Sequence, residues 1–298
     1  MVWIPGGAFI MGSDRHYPEE RPARRVRTEG FWIDRTPVTN RDFARFVRAT
    51  NYRTVAETGP SRRDYPDAPV VELGPGSMVF TPTAGPVPLD QPHLWWRFVR
   101  GADWRHPTGP RSHIEGLDDH PVVHVALADA EAYAEWAGVD LPSEAQWERA
   151  ARGGLGHRDY AWGDALEPEG APLAKTWHGD FPYRNAPPDG WPRTAPVKSY
   201  PPNGYGLHDM IGNVWEWTAD WWSERPIEPE FDFCCSARRA ASADPGDTLA
   251  VPRRVLKGGS HLCAPSYCRR YRPAARHAHR IDTSASHLGF RCALRPVP

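Results

Sequence analysis

Two cysteines near the C-terminal end of the chain, Cys263 and Cys268, are the side chains best suited to chemistry. They lie five positions apart, after Gly258-Gly259-Ser260 and before Arg269-Arg270-Tyr271-Arg272. A thiolate is both a nucleophile and a ligand for soft metals, and neighbouring cations favour the ionised form. The segment therefore has the groups for a thiolate metal site, a redox pair or a nucleophile. The spacing alone does not choose among the three.

The C-x4-C spacing narrows the choice of metal. It is not that of a tetrahedral zinc ribbon, which requires a second pair of ligands. Two soft ligands with nothing harder beside them suit a low-coordinate copper(I) better than zinc. The alternative is that the two cysteines are core residues or form one structural disulfide.

The cysteines belong to a longer pattern of motifs. Around them stand Gly258-Gly259-Ser260, Tyr267-Cys268, Tyr271-Arg272, Ala274-Ala275-Arg276 and Gly289-Phe290-Arg291-Cys292. Upstream, the pattern continues with Pro5-Gly6-Gly7, Met11-Gly12, Pro37-Val38-Thr39-Asn40 and Leu141-Pro142-Ser143-Glu144-Ala145-Gln146-Trp147-Glu148. These motifs cover nearly the whole chain and resemble the formylglycine-generating enzymes, or sulfatase-modifying factors.

The resemblance implies an oxidase that uses copper(I), dioxygen and an external reductant. Its substrate would be a cysteine in a C-x-P-x-R motif of an unfolded sulfatase, which is converted to formylglycine. In the family, the cysteines that match Cys263 and Cys268 bind the copper and carry the oxidation. The substrate thiolate is expected to join them as a third soft ligand, and the resulting thioaldehyde is hydrolysed.

Other residues are candidates for supporting roles at this site. Ser260 and Tyr267 are candidates for orienting oxygen species or a thiolate. Trp215 is a candidate for a wall of the pocket, and Arg269 is a candidate for favouring the thiolate state. Two positions depart from the family pattern. Ala264 replaces a common histidine, and His287 stands where an asparagine often lies, so the positioning of oxygen or water is left open.

The resemblance also implies a structural calcium site near the middle of the chain. It maps onto the side chains of Asp209 and Glu216 and the carbonyl groups of Gly212 and Val214. Carboxylates and carbonyls mixed in irregular turns are the ligands that Ca²⁺ prefers. We therefore expect this site in the protein.

A second family calcium site maps onto Lys175, Thr176, Asp189 and Trp191. Here Lys175 places an ammonium group where the site requires an oxygen ligand. An ion pair between Lys175 and Asp189 is the alternative to calcium at this position.

Two other functions remain open from the sequence. One is a non-catalytic member of the same fold that binds a peptide or ligand and has a Cys263–Cys268 disulfide. The other is a thiol oxidoreductase that works by disulfide exchange, without copper or dioxygen. No P-loop, G-x-G-x-x-G or Ser-His-Asp order is present, which argues against nucleotide-dependent enzymes and hydrolases.

His120 and His124 are expected to be structural and not to bind one metal ion together, since an extended i, i+4 pair lies roughly 13 Å apart.

Composition limits the partners and the compartment. The net charge of −1 gives no overall attraction to nucleic acid or to an acidic membrane, so neither partner is expected. Five cysteines are too few and odd in number for a disulfide framework, and Cys292 is expected to be a buried free thiol. With no signal-like or membrane-spanning run, we expect a cytoplasmic monomer whose partner is the sulfatase polypeptide.

The 33 prolines and 26 glycines predict many turns and few long elements. We expect one α+β domain over residues 1–298, and the resemblance implies the variant of the C-type-lectin-like fold found in the family. Short strands are predicted at 2–4, 8–11 and 31–33, and helices are predicted after Thr39, at Asp129 and after Ser143. Segments 14–25, 57–92 and 223–256, the last with Cys234-Cys235, are expected to be irregular.

Overall fold

The computed structural model describes residues 1–59, 74–224 and 235–295. Cys234 and the side chain of Cys235 lie outside the described part. The strands are β1 (Val2–Ile4), β2 (Gly7–Met11), β3 (Arg24–Thr28), β4 (Phe31–Ile33), β5 (Gly76–Phe80), β6 (Trp96–Arg100), β7 (Trp215–Trp221), β8 (Arg253–Lys257), β9 (Arg276–Arg280), β10 (Leu288–Gly289) and β11 (Ala293–Leu294). The helices are α1 (Asn40–Thr50), α2 (Val55–Thr58), α3 (Leu127–Ala137), α4 (Glu144–Ala151) and α5 (Cys235–Ala241).

These elements form a mixed α and β structure with little regular secondary structure, as expected. Within the described ranges, the strands form four small sheets. The largest has the order β10-β7-β8-β9, and β10 runs parallel to β7. A three-stranded sheet with the order β1-β4-β11 joins the two ends of the chain, and β2-β3 and β5-β6 are antiparallel pairs.

Helices α1 and α4 begin where the capping signals predict. The Thr39 hydroxyl accepts a hydrogen bond from the Asp42 backbone N–H and donates to the Asp42 carboxylate at 2.7 Å. Ser143 and Gln146 form a reciprocal capping box at the start of α4. These side chains satisfy backbone N–H groups that have no partner within the helix, which fixes where each helix starts.

Helix α3 begins two residues before the position that the sequence indicated. Asp129 is not the cap. It is the third residue of the helix, and its carboxylate accepts a hydrogen bond from the Ala126 backbone N–H at 2.8 Å. This is the role of the acidic residue in a capping box, and Ala126 has no side-chain oxygen to supply the other half.

Three segments expected to be irregular contain regular structure. Strand β3 overlaps the charged segment 14–25, α2 overlaps the start of segment 57–92, and β5 lies within that segment. Helix α5 lies within segment 223–256, and β8 overlaps its end. Strand β3 has the sequence Arg-Arg-Val-Arg-Thr and is ordered by its pairing with β2 along all five residues. The strand has three arginines and only one aliphatic residue, so it lacks the alternation of apolar and polar residues that identifies a strand in the sequence. Tertiary pairing overrides local composition here.

The main core lies between the sheets and helices α1, α3 and α4, and it contains Phe31, Phe43, Trp147, Trp217 and Phe290. Phe43 contacts Trp104, Tyr133 and Phe290 in addition to its neighbour Phe46. Cys292 is a buried free thiol in this core, as predicted. Nowhere in the described ranges is there a helix long and apolar enough to cross a bilayer.

Candidate active site

The segment that carries the two cysteines begins directly after β8, a strand of the four-stranded sheet. The last residue of β8, Lys257, is held in place by an ion pair. Lys257 is fully buried, and its ammonium lies 3.0 Å from the Glu148 carboxylate. Gly258 and Gly259 follow with φ values of 97° and 72°. A Cβ on Gly259 would lie 2.9 Å from the Arg270 carbonyl carbon. The chain can therefore reverse at this point only because the residue is glycine.

The reversal leads into a series of tight turns that bring the two cysteines together. The Cys263 backbone N–H donates to the Ser260 carbonyl and the Cys268 N–H donates to the Ala264 carbonyl, each at 2.9 Å. The two sulfur atoms lie 3.2 Å apart, and both cysteines are free. A disulfide bond is about 2.05 Å long, so the pair is present as two thiol groups. Cys263 is buried and Cys268 is half-buried.

The two thiols differ in their ionisation. The pKa of Cys268 is lowered to about 6, mainly because its sulfur accepts a hydrogen bond from Cys263 and also because of the charge and hydrogen bonds of Arg270, which together outweigh burial. Burial raises the pKa of Cys263 well above its usual value. The pair therefore carries one negative charge at neutral pH, on Cys268, and keeps one proton on Cys263. A thiolate ready at neutral pH is what metal binding or nucleophilic attack requires.

The cation beside the thiolate is Arg270, and the expectation for Arg269 is corrected. The Arg269 guanidinium lies 3.5 Å from the Tyr160 hydroxyl, whereas Arg270 lines the thiol cavity. Arg270 is held there by Glu19 at 2.6 Å and by the Tyr17 ring, whose centroid is 3.9 Å from the guanidinium carbon. Both partners are some 250 residues away in sequence, so local spacing could not identify the correct arginine.

The thiols open into a cavity of about 180 Å³ with aromatic walls. Trp215 and Tyr267 line it, and the Tyr267 ring stacks on Phe181 with centroids 4.4 Å apart and an interplanar angle of 4°. Trp95 packs edge-on against Tyr267 at 5.5 Å. Sequence reasoning missed Trp95 and Phe181, because a tryptophan-rich chain gives no local signal that separates groove residues from core residues.

Ser260 lies against both the sulfur pair and a histidine. Its backbone N–H donates to the Cys263 sulfur at 3.4 Å, and its hydroxyl lies 3.2 Å from Nδ1 of His287. Burial lowers the pKa of His287 well below its usual value, so the imidazole is neutral. His277 also lines the cavity and packs against Trp215 with ring centroids 5.6 Å apart. Burial also lowers the pKa of His277, to about 3, so both imidazoles near the thiols are neutral.

The donor set fits a soft, low-coordinate metal. Cys263 and Cys268 supply two sulfurs in contact, one of them already ionised. In the described ranges, no group of three or more His, Cys, Asp or Glu side chains forms a metal site. A metal at the thiol pair would therefore have two protein ligands, which leaves it accessible to a further ligand from the cavity.

At the first expected calcium site, the carboxylates of Asp209 and Glu216 already accept hydrogen bonds, and one Glu216 oxygen has an unused lone pair. Asp209 is buried, and its carboxylate accepts hydrogen bonds from the Lys198 backbone N–H and the Asn213 amide. Burial raises its pKa. Glu216 pairs with Arg291 through both oxygens, at 2.7 and 2.8 Å, and Trp147 donates to one of them. Among the described residues, the other oxygen accepts a hydrogen bond from Arg291 alone, which leaves one of its lone pairs unused.

At the second expected calcium site, the ion pair anticipated for Lys175 is present. The buried Lys175 ammonium lies 2.6 Å from the Asp189 carboxylate and also donates to the Trp191 carbonyl. Two of the expected calcium ligands are therefore bound by a side-chain cation. The Thr176 hydroxyl lies 3.5 Å from Nε2 of His178. The lysine provides the positive charge that joins these segments.

With the fold and site described, comparison with known proteins identifies the class. Residues 1–296 match the family described as the sulfatase-modifying factor enzyme 1-like domain. The chain is 52% identical over 299 residues to a formylglycine-generating enzyme of Mycobacterium tuberculosis, covering 100% of this chain and 98% of that one. This chain therefore belongs to the sulfatase-modifying factor family.

More distant relatives show how far the likeness extends. The chain is 39% identical over 300 residues to the inactive Cα-formylglycine-generating enzyme 2 of Bos taurus, covering 98% and 85% of the two chains. The structure of PvdO from Pseudomonas aeruginosa superposes with a TM-score of 0.61 at 22% identity, covering 98% and 92% of the chains. That structure supports the shared fold. Because the family includes an inactive member, activity must be argued from the thiol site.

The electrostatic asymmetry of the thiols predicts their reactivity. In the reduced, metal-free protein, iodoacetamide should alkylate Cys268 at close to its full rate at neutral pH, because the pKa of this thiol is about 6. The Arg270→Gln variant should raise that pKa and slow the reaction roughly ten-fold at pH 7, since it removes the adjacent cation. Site-resolved mass spectrometry across a pH series measures both effects.

Arg269→Gln is the matched control for this measurement, because it removes the same charge from the neighbouring position. It should leave the alkylation profile of Cys268 unchanged. Equal shifts in the two variants would contradict the assignment of Arg270 as the cation that stabilises the thiolate.

Proposed function

We propose that this protein oxidises a cysteine of a sulfatase polypeptide, within a C-x-P-x-R motif, to formylglycine. The observation that carries the proposal is the free thiol pair, with sulfurs 3.2 Å apart, at an aromatic cavity. The reaction requires a redox-active centre and an open coordination position, and the two-thiol donor set supports copper(I) as that centre. Copper, when bound by Cys263 and Cys268, would supply the activation of dioxygen.

The overall reaction balances with an external reductant. The substrate cysteine loses one hydrogen from Cβ and one from its sulfur, and hydrolysis of the resulting thioaldehyde releases the sulfur as hydrogen sulfide and leaves the aldehyde. Dioxygen takes two electrons from the substrate and two from the reductant and is reduced to water. The protein's own residues bind the peptide, transfer the protons that the substrate loses, and exclude competing reactions.

The thiol pair and its neighbours prepare the site for metal and substrate. Cys268 is ionised beside Arg270, so only Cys263 must lose a proton when a metal binds. The Ser260 hydroxyl and the neutral His287, 3.2 Å apart, are placed to relay a proton through their contact. They can therefore act in steps in which the substrate thiol or water must lose one.

The cavity walls favour an extended peptide. Tyr267, stacked on Phe181, and Trp215 present aromatic surfaces to a cavity of about 180 Å³. A cavity of this volume admits a side chain and adjacent backbone but no folded domain. An unfolded sulfatase segment satisfies this limit. The aromatic faces would pack against the apolar part of the motif and reduce access of water to the sulfurs.

One observation also favours a second candidate, a thiol oxidoreductase. A cysteine whose pKa is about 6, in contact with a second thiol, is the arrangement used in thiol–disulfide exchange. This activity would proceed without copper or dioxygen. Copper dependence of turnover therefore separates the two functions.

The proposed oxidation predicts a copper-dependent change in a model peptide. A peptide containing Leu-Cys-Thr-Pro-Ser-Arg, incubated aerobically with protein, reductant and one equivalent of copper(I), should show the mass loss that accompanies conversion of cysteine to an aldehyde. Cys268→Ser should abolish the conversion because it removes one of the two thiolate ligands. Mass spectrometry of the peptide reads out the result.

Cys292→Ala is the control, because it removes the buried thiol that lies in the main core, and it should convert the peptide like the wild type. Disulfide formation in the peptide that persists under strong copper chelation, without the mass loss of the aldehyde, would favour the thiol oxidoreductase. A folded, copper-binding protein that leaves the peptide unchanged would contradict the proposed substrate.

We also propose a structural calcium ion at Asp209 and Glu216, with the carbonyl groups of Gly212 and Val214. The support is the buried Asp209 carboxylate and the free lone pair on Glu216. Calcium would stabilise the turn that leads into β7 and thereby the Trp215 wall of the cavity.

This proposal predicts that calcium raises the thermal unfolding temperature of wild type relative to protein in chelator. Asp209→Ala should lose the increase, whereas Asp209→Asn should retain most of it because an amide oxygen is also a calcium ligand. Differential scanning fluorimetry measures the shift. An equal response in wild type and Asp209→Ala would rule out this site.

A further inference from the structure

A second cavity, of about 210 Å³, lies beside α1 and the segments around residues 104–123 and 191–194. It shares no lining residue with the thiol cavity. Most of its wall is apolar and includes Ile114, Leu117, Val123 and Trp191. A concave, mostly apolar wall with a few polar groups is the usual construction of a small-molecule site.

Four buried polar atoms belong to residues that line this cavity, and among the described residues none of the four has a hydrogen-bond partner. They are Oδ1 of Asn40, Nε1 of Trp104, Nε2 of His120 and Nη1 of Arg193. Asn40, Trp104 and His120 are each at least 95% buried. Leaving a buried donor or acceptor unpaired is unfavourable, so four such atoms around one cavity require partners that the described residues do not supply.

The side chains are held in place by their other polar atoms. The Asn40 amide donates to the Leu117 carbonyl at 2.9 Å, and Nδ1 of His120 lies 3.0 Å from the Thr194 hydroxyl. Nη2 of Arg193 donates to the Phe80 carbonyl at 3.3 Å. The unpaired atoms are therefore the remaining ends of fixed groups, which is the preorganisation that a binding site needs.

The cavity also has an uncompensated positive charge. In the described part of the chain, no carboxylate is in ion-pair or hydrogen-bond contact with Arg193, and burial alone lowers its pKa. The charged groups that act on His120, another residue of the cavity wall, are themselves paired, since Lys175 pairs with Asp189 and Asp119 pairs with Arg41. Arg193 is half-buried, with its Nη1 atom shielded from solvent, and a guanidinium in this setting without a counter-ion favours an anionic ligand.

We propose that this cavity binds a small monocarboxylate with an aromatic or branched apolar body that carries a hydroxyl or amino group. The ligand carboxylate accepts hydrogen bonds from Arg193, with Trp104 as a further donor. The hydroxyl or amino group donates to Asn40, and the body packs against Ile114 and Trp191. This function is separate from the proposed oxidation, because neither thiol lines the cavity.

The test uses 4-hydroxybenzoate as the probe and 4-hydroxybenzamide as its neutral counterpart, with binding to the intact protein measured by isothermal titration calorimetry. Wild type should bind the carboxylate roughly ten-fold more tightly than the amide, since a hydrogen bond to a charged group is the stronger one. Arg193→Gln should remove that preference. Ile114→Trp should abolish binding of both compounds by filling the cavity.

Arg184→Gln is the control, because it removes an exposed arginine paired with Asp180 from the same region and should bind as wild type does. Cys268→Ser should also bind normally, which separates this site from the oxidation. Absence of binding by folded wild type, or a carboxylate preference that persists in Arg193→Gln, would overturn the proposal. If Arg193→Gln does not fold, the wild-type preference for the carboxylate and the loss of all binding in Ile114→Trp decide the question.

Discussion

The thiol site depends on ion pairs that connect the two ends of the chain. Arg272 and Glu20 form a fully buried pair, in which the guanidinium donates to both carboxylate oxygens. Arg270 pairs with Glu19 in the adjacent layer. Removing one partner of a buried pair leaves an uncompensated charge, which costs about 3–5 kcal/mol. The N-terminal segment therefore helps to position the thiol site even though it supplies no thiol.

The ion pairs of Glu19 and Glu20 with Arg270 and Arg272 have an electrostatic consequence as well as a structural one. By holding Arg270 beside Cys268, they favour the ionised state of that sulfur, while burial keeps the proton on Cys263. In an aromatic, weakly polar cavity such a charge interacts more strongly than it would in water. A single negative charge on the sulfur pair requires less stabilisation than two would.

Much of the scaffold could be predicted from the sequence, because its signals are local. The Thr39 and Ser143 caps define helix starts within a few residues, and the Gly258-Gly259 reversal marks the entrance to the thiol turns. The pair Cys263 and Cys268 could also be identified by residue type and spacing.

The remaining features depend on contacts between residues far apart in the sequence. Selecting Arg270 over Arg269 requires the position of Glu19, and recognising Phe181 as a wall requires its stack on Tyr267. Strand β3 forms because β2 pairs with it, although its own residues are mostly arginine. The cavity around Arg193 has no sequence motif and is visible only from the polar atoms left without partners.

The most direct test of the account is the copper(I) stoichiometry of the reduced protein, measured by competition with a chromophoric copper(I) chelator in the absence of oxygen. One copper(I) per chain is expected in wild type and in Cys292→Ala, and none at the same chelator concentration in Cys263→Ser or Cys268→Ser. A folded protein with both thiols titratable that takes no copper from the chelator, or a Cys268→Ser variant that binds as wild type does, would contradict the assignment of the thiol pair as the metal site.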